Sequence, residues 1–253
     1  LRMADVENFM TLSGFEIVKK EWRILSPFRF LGIGSFINRY IATLPVIRKL
    51  CLRHFVVARM IPDQQSTPQS VSIVIPCRNE KGNIETAISR LPQLGSHVEV
   101  VFVEGHSSDG TWEEIERVMS IFPDCDIKAS QQLGVGKGDA VRAGFELATG
   151  DILMILDCDL TVPPEDLPKF YNVIASGQGE YVNGSRLVYT MQGQSMRFLN
   201  YLANHCFALI FTYLLNQRLT DTLCGTKALS RRDYIKIAEN RQYFGEFDPF
   251  GDF

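Results

Sequence analysis

The stretch VSIVIPCRNE, residues 71–80, indicates the fold of most of this chain. Its first six residues form a short apolar run typical of a buried parallel strand, and polar residues follow at once. The pattern recurs as VEVVFVEGHSSDGT at 98–111 and as DILMILDCDL at 151–160. Helix-like segments separate these runs. This β-α-β alternation predicts an α/β fold with an open, mostly parallel sheet and helices on both faces.

A polar, proline-containing stretch, DQQSTPQS at 63–70, divides the chain, and we interpret it as an interdomain linker. Upstream, residues 1–62 contain two strand-like runs, FEIVKKEWRIL and FVVARM. Two strands alone do not make a stable domain. We therefore expect residues 1–62 to be the C-terminal fragment of another α/β domain. We expect 71–253 to be a second, C-terminally incomplete domain, with both ends of the chain cut from a longer protein.

The composition is that of an ordinary soluble globular protein, with 45% hydrophobic residues and a formal net charge of −3. Without an arginine-rich arm or a lysine block, a nucleic-acid partner is not expected. Six cysteines are scattered without Cys-X-X-Cys spacing, which argues against zinc and indicates a reducing cytoplasm. The longest apolar run, CFALIFTYLL at 206–215, is too short to cross ~30 Å of hydrocarbon as a helix.

Polar residues cluster at the ends of the predicted strands, where open α/β sheets bind their ligands. We expect the three strand ends to converge on one crevice. The residues concerned are Arg78, Asn79 and Glu80 after the first run, Glu104 and His106 after the second, and Asp157 and Asp159 after the third.

The most informative element is the pair Asp157 and Asp159, which flank Cys158 directly after an apolar run. Carboxylates are hard oxygen ligands suited to Mg²⁺ or Mn²⁺, which proteins commonly hold with one or two carboxylates plus substrate phosphates. A solvated turn is the alternative. The position after a buried strand favours the metal site.

The run GVGKGD at 134–139 opens a predicted helix. Backbone amides at a helix start favour anions, and Lys137 adds positive charge. The spacing matches neither the Walker A motif nor the dinucleotide-binding fingerprint. A phosphate contact and a plain flexible turn therefore both remain open for this run.

Four segments together resemble the family-2 glycosyltransferases of GT-A fold, and most closely the dolichol-phosphate mannose synthases and the bacterial polyprenyl-phosphate glycosyltransferases. The segments are VSIVIPCRNE, VVFVEGHSSDGT, GKGDAVRAGFELATGDILMILDCDL and LTVPPEDLPKF, and the resemblance covers about 71–253. It implies a Rossmann-like nucleotide-sugar-binding domain. It also implies an inverting glycosyltransferase that uses Mg²⁺ or Mn²⁺ and a GDP- or UDP-linked sugar.

The resemblance implies roles for individual residues. The family usually shows two aspartates where this chain has Glu104 and Gly105, so the identity of the base stays open. The expected donor-site residues are Pro76, Arg78, Asn79, Glu80, Glu104, Lys137, Asp139 and Arg142, and the position of His106 in the turn after the second run adds it to them. Near the donor or acceptor phosphate we expect Arg186 and Lys227, at the metal Asp157 and Asp159, and near the acceptor Asp252.

The resemblance also implies the acceptor, a polyprenyl or dolichyl phosphate at the cytoplasmic face of the membrane. An amphipathic helix at 196–215 would hold the enzyme there, and the alternative for this segment is a helix packed on the sheet or in a dimer contact. Two alternatives stay open: transfer to a polysaccharide or other hydroxyl acceptor, and an inactive nucleotide-binding or scaffold domain. A sugar-nucleotide pyrophosphorylase is disfavoured, because CRNEKGN at 77–83 is not the glycine-rich, arginine-containing loop such enzymes need.

The N-terminal piece has a resemblance of its own. SGFEIVKKEWRILSP and RHFVVARMIP are similar to the last two strands of class I S-adenosylmethionine-dependent methyltransferases. The glycine-rich loop that binds that cofactor is absent from this sequence, so no methyltransferase activity is assigned. We expect the full protein to be a methyltransferase–glycosyltransferase fusion.

Overall fold

The computed structural model describes residues 3–28, 32–44, 46–60, 68–185, 206–212, 221 and 224–240. Residue contacts divide the chain into two compact units. One unit comprises residues 1–62 and 210–218, and the other comprises residues 63–209 and 219–253.

The first unit contains an antiparallel hairpin of β1 (Phe15–Arg23) and β2 (Arg53–Met60), preceded by helix α1 (Met3–Leu12). Gly14 ends the helix with a φ of 75°, a left-handed conformation that favours glycine. The guanidinium of Arg48 lies 4.7 Å from the centre of the Trp22 ring. Short helical segments join the two strands: α2 (Ile33–Phe36), a π-helical turn (Ile37–Ile41) and a 3-10 turn (Ile47–Leu50).

The second unit is built on a sheet in which, within the described residues, six strands follow the order β5-β4-β3-β6-β8-β7. Strands β5, β4, β3 and β6 run parallel, and the pairs β6–β8 and β8–β7 are antiparallel. The strands are β3 (Val71–Cys77), β4 (Val98–Glu104), β5 (Asp126–Gln131), β6 (Ile152–Ile155), β7 (Tyr181–Asn183) and β8 (Lys227–Ser230).

Helices cover both faces of this sheet. They are α3 (Ile84–Ser89), α4 (Thr111–Ile121), α5 (Lys137–Leu147), α6 (Leu167–Ala175) and α8 (Arg231–Glu239). A separate helix, α7, occupies 206–212, and the rest of the helix predicted at 196–215 lies outside the described residues. In the described part of the chain, no helix is both long and apolar enough to cross a membrane.

The core lies on both sides of β3, whose residues from Val71 to Ile75 are fully buried. On one face, Ile73 and Ile75 pack with apolar residues of α3, α4 and α6. On the other, Val74 packs with those of α5, where a Cβ added to Gly144 would overlap the Val74 side chain. Such close helix–sheet packing is what a doubly covered sheet requires. The predicted α/β fold, with a mostly parallel sheet and helices on both faces, is confirmed.

Candidate active site

A cavity of about 620 Å³ opens at the edge of the sheet where the parallel strands end. Because parallel strands end on the same edge, loops that are distant in sequence meet there. The structure thus brings residues from all three predicted strand ends into one crevice. The residues around the cavity include Pro76, Cys77, Arg78, Glu80, Gly105, His106, Gln132, Lys137, Asp157 and Asp159.

The acidic end of the cavity is formed by Asp157 and Asp159, directly after β6. Lys137, the first residue of α5, places its Nζ atom 2.7 Å from Asp157 Oδ1. Apart from this ion pair, the buried Oδ1 atom has no hydrogen-bond donor among the described residues. Asp159 Oδ1 accepts the backbone N–H of Thr161 at 3.0 Å, which leaves the rest of its carboxylate available at the cavity wall.

Gly225, which no sequence motif marks, lies directly against this ion pair. A Cβ atom added to Gly225 would overlap the Lys137 ammonium and both carboxylate oxygens of Asp157. The position therefore tolerates only glycine while the pair is formed. No local motif marks this residue, because its contact depends on β8 pairing with β6 far away in sequence.

Asn79 and Glu80 follow β3 and differ in their placement. Glu80 borders the cavity, and its carboxylate accepts a hydrogen bond from Asn83 Nδ2 at 2.6 Å. Asn79 braces the loop after β4 instead: its N–H donates to Ser107 Oγ and its Oδ1 accepts the N–H of Ser108, each at 2.9 Å. Asn79 has a φ of 55°, so the strained loop is held by these bonds.

Glu104 ends β4, but its carboxylate is buried rather than presented to the cavity. The residue is 4% exposed, and its Oε1 accepts the N–H of Ser107 at 2.5 Å. The next two residues, Gly105 and His106, border the cavity in its place. The imidazole Nε2 of His106 lies 3.1 Å from the carbonyl oxygen of Gly134, in the turn before α5.

Asp139 and Arg142 stabilise the glycine-rich turn at the start of α5. Asp139 Oδ2 accepts the N–H of Gly134 at 3.0 Å, and the Arg142 guanidinium lies 3.7 Å from Asp139 Oδ1. Neither residue is among those that border the cavity. In this turn, the cationic group at the cavity wall is Lys137.

Lys227 is not among the residues that border the cavity. Lys227 is buried on β8, where its Nζ donates to the carbonyl oxygen of Cys224 at 3.0 Å. Arg186 and Asp252 lie outside the described residues, and their roles stay predictions.

Two buried cysteines, Cys77 and Cys158, line the cavity next to the acidic pair. Cys77 Sγ is 3.4 Å from Cys158 Sγ, and the two residues continue the register in which Val74 pairs with Ile155. Burial raises the pKa of the Cys77 thiol well above its ordinary value, and the adjacent Cys158 raises it further. All six cysteines of the chain are free.

The chemistry of the acidic pair fits a divalent cation that shares its coordination with a ligand. Among the described residues, no group of three or more His, Cys, Asp or Glu side chains could enclose a metal ion. Mg²⁺ is typically held by one or two carboxylates together with substrate phosphates. Asp157 and Asp159 therefore suit an ion that arrives with, or is completed by, a phosphate-bearing substrate.

A family model described as glycosyl transferase family 2 matches residues 72–237. The chain belongs to glycosyl transferase family 2. The matched residues include the acidic pair, the glycine-rich turn and the loops after β3 and β4. The site described above is therefore contained in the family-2 domain.

Two named relatives are consistent with the same family. The chain is 37% identical over 120 residues to a dolichol-phosphate mannosyltransferase of Pyrococcus furiosus, covering 47% of this chain and 33% of that protein. It is 35% identical over 125 residues to an undecaprenyl-phosphate 4-deoxy-4-formamido-L-arabinose transferase of Aeromonas hydrophila, covering 46% of this chain and 36% of that protein. The alignments thus span about a third of each relative's length.

Among solved structures, the crystal structure of a mycobacterial protein matches with a TM-score of 0.51 and 22% sequence identity. The match covers 65% of this chain and 54% of that one. At this level of identity the likeness concerns the fold, which is GT-A-like. The methyltransferase resemblance of residues 1–62 has no counterpart in these matches and stays a prediction.

Proposed function

We propose that this family-2 domain transfers a sugar from a nucleoside-diphosphate sugar to a polyprenyl phosphate, with inversion at the anomeric carbon. The observation that carries the proposal is the meeting of Asp157, Asp159 and Lys137 in one cavity of about 620 Å³ at the carboxyl edge of the sheet. Two carboxylates for a cation and an ammonium for phosphate oxygens suit a diphosphate-bearing donor.

Within this proposal, Asp157 and Asp159 hold Mg²⁺ or Mn²⁺, which when bound would neutralise charge on the departing diphosphate. Lys137 contributes a second positive charge at the same end. Arg78 and Glu80, after β3, border the space between this end and the loop after β4. The donor therefore lies along the carboxyl edge, with its diphosphate at the acidic pair.

The reaction is a single displacement. An oxygen of the acceptor attacks the anomeric carbon while the bond from that carbon to the diphosphate oxygen breaks, and the nucleoside diphosphate leaves with the bonding electrons. A phosphate monoester acceptor needs no general base, because its second pKa of about 6 leaves it largely ionised at neutral pH. A hydroxyl acceptor would need one.

The proposed acceptor rests on the named relatives and on exposed apolar surface. Dolichol phosphate and undecaprenyl phosphate appear in the names of the two relatives above. In helix α7, the side chains of Phe207, Leu209 and Ile210 are half or more exposed. Such a surface suits peripheral attachment to the cytoplasmic face of the membrane that carries a lipid acceptor.

Thermal stabilisation tests the donor site. We would measure the melting temperature with GDP-mannose, UDP-glucose, GDP and UDP, each with and without Mn²⁺, for the wild type and for Asp159→Ala. We expect nucleotides of one base to raise the melting temperature of the wild type when Mn²⁺ is present. Asp159→Ala should abolish this rise. No rise for any nucleotide would contradict the proposed donor site.

Product analysis tests the acceptor. Incubation with a radiolabelled donor and either a short polyprenyl phosphate or the matching polyprenol separates the two classes of acceptor. Label in the phosphate product alone is expected. Label transferred to the alcohol alone would favour the hydroxyl-acceptor alternative and overturn the proposed lipid-phosphate specificity.

A further inference from the structure

The Gln132 side chain fills the space beside Gly105. A Cβ atom on Gly105 would lie 2.9 Å from Gln132 Oε1 and 3.4 Å from the carbonyl oxygen of Cys77. Gln132 comes directly after β5 and is 5% exposed, yet it borders the cavity. The missing side chain at position 105 thus leaves room for an amide oxygen from the neighbouring strand.

The orientation of the Gln132 amide follows from its neighbours. Its Nε2 donates to the carbonyl oxygen of Gly134 at 2.9 Å and of Gly136 at 3.3 Å, and Asp139 Oδ2 lies 3.4 Å away. All three neighbours are acceptors, so the nitrogen must face them. The oxygen therefore faces Gly105, on the cavity side, as a fixed hydrogen-bond acceptor.

The sheet also fixes which part of a donor meets this acceptor. Adjacent strands lie about 4.8 Å apart, so the three steps from β6 to β5 span roughly 14 Å. Asp157 and Lys137 form one end of the cavity near β6, whereas Gly105 and Gln132 lie at β4 and β5, where the Asp139 carboxylate faces the Gln132 nitrogen and leaves the oxygen to the cavity. A nucleoside diphosphate carries its base at the opposite end from its diphosphate. A donor bound with its diphosphate at Asp157 would therefore bring its base to Gln132.

We propose that Gln132, rather than Glu104, recognises the base of the donor through a hydrogen bond. Its Oε1 accepts the ring N–H of uracil or guanine, whereas cytosine and adenine present an unprotonated ring nitrogen at the equivalent position. Glu104 is unsuited to this contact, because its carboxylate is buried and holds the N–H of Ser107. This inference rests on the proposed nucleoside-diphosphate donor and names its base-reading residue.

Ring-methylated nucleotides test the contact directly. With Mn²⁺ present, calorimetry would compare the affinities for UDP and N3-methyl-UDP, and for GDP and N1-methyl-GDP. The wild type is expected to prefer the unmethylated form of the base it binds by roughly tenfold or more, the effect of an unmade hydrogen bond in a buried site. Gln132→Leu is expected to remove that preference. The exposed neighbour Gln131→Leu is the matched control and should behave as the wild type.

A second variant keeps Gln132 and is designed to displace its side chain. Gly105→Ala places a methyl group 2.9 Å from Gln132 Oε1, so we expect it to weaken binding of the unmethylated nucleotide and to reduce the preference. An unchanged preference in both Gln132→Leu and Gly105→Ala would overturn the inference and leave the donor site standing. Failure of the wild type to bind any of the four nucleotides would overturn both the role of Gln132 and the proposed donor site.

Discussion

Lys137 Nζ lies 2.7 Å from Asp157 Oδ1, so the cation of the glycine-rich turn and the first acid after β6 form one ion pair at the cavity wall. The proposed reaction uses these two groups separately, the lysine for the diphosphate and the aspartate for the cation. Donor binding must therefore redistribute this pair. In the free site, Lys137 offsets the charge of Asp157, and Asp159 adds a second carboxylate for a metal ion.

Replacing Lys137 by methionine separates these two roles. We expect nucleotide affinity to fall roughly tenfold or more, because a charged hydrogen bond to phosphate is lost. Affinity for Mn²⁺ alone should not fall, since a competing cation leaves Asp157. Calorimetry with nucleotide and electron paramagnetic resonance with Mn²⁺ measure the two quantities. Lys169→Met, at an exposed lysine of α6, is the control. A parallel loss of Mn²⁺ affinity in Lys137→Met would contradict the assigned roles.

Gly225→Ala tests the contact between β8 and the ion pair. The added methyl group would overlap the groups of Lys137 and Asp157, so we expect nucleotide binding to be lost while the fold is kept. Circular dichroism checks the fold, and the melting-temperature rise with nucleotide and Mn²⁺ checks the site. The matched control is Gly82→Ala, because a Cβ there meets nothing within 4 Å. If nucleotide and Mn²⁺ raise the melting temperatures of Gly225→Ala and Gly82→Ala equally, position 225 is not part of the site.

Much of the fold followed from local pattern. Buried parallel strands are continuous apolar runs, so β3, β4 and β6 are visible directly as VSIVIP, VEVVFV and DILMIL. The convergence of their carboxyl ends is then a consequence of parallel topology. For this reason the sequence could predict that Asp157, Asp159 and Arg78 share one crevice.

The remaining site features depend on contacts that no local pattern encodes. Gly225 reaches the ion pair only because β8 pairs antiparallel with β6. The sequence placed Glu104 after a strand as a polar candidate, but its spacing could not show that the carboxylate turns inward to Ser107. Likewise, Gln132 becomes a candidate only when the space beside Gly105 is known. Tertiary packing decides which polar residue at a strand end meets the ligand.

The thiols of Cys77 and Cys158 should be inert to alkylation. The raised pKa of Cys77 keeps its thiol protonated, and both residues are buried. We expect iodoacetamide at neutral pH to modify the exposed Cys125 and Cys206 at least roughly tenfold faster. Peptide mass spectrometry over a time course measures the four rates. Comparable rates for Cys77 and Cys125 would contradict the burial seen at the base of the cavity.

Glu99 forms a polar network at the end of the sheet opposite the cavity. It is 1% exposed, and its carboxylate accepts hydrogen bonds from Lys128 Nζ, from Ser72 Oγ and from both the N–H and the hydroxyl of Thr149. Burial acts to raise the pKa of Glu99, but these donors outweigh it and lower the pKa from 4.5 to about 2. The ionised form is therefore the one that stabilises the folded state.

A pH series on Glu99→Gln measures this contribution. Because the pKa is lower in the folded state than in the unfolded chain, the stabilisation is complete above the unfolded value of 4.5 and is lost as the pH falls toward about 2. Urea unfolding near neutral pH should show the variant less stable by roughly 2 kcal/mol, a value below the full shift because Lys128 is partly exposed. The difference from the wild type should shrink progressively below pH 4.5. Glu116→Gln, at an exposed glutamate of α4, is the control for the loss of a surface carboxylate. A difference that stays constant from neutral pH to about pH 3 would mean that the charge of Glu99 does not stabilise the fold, and that the variant loses packing alone.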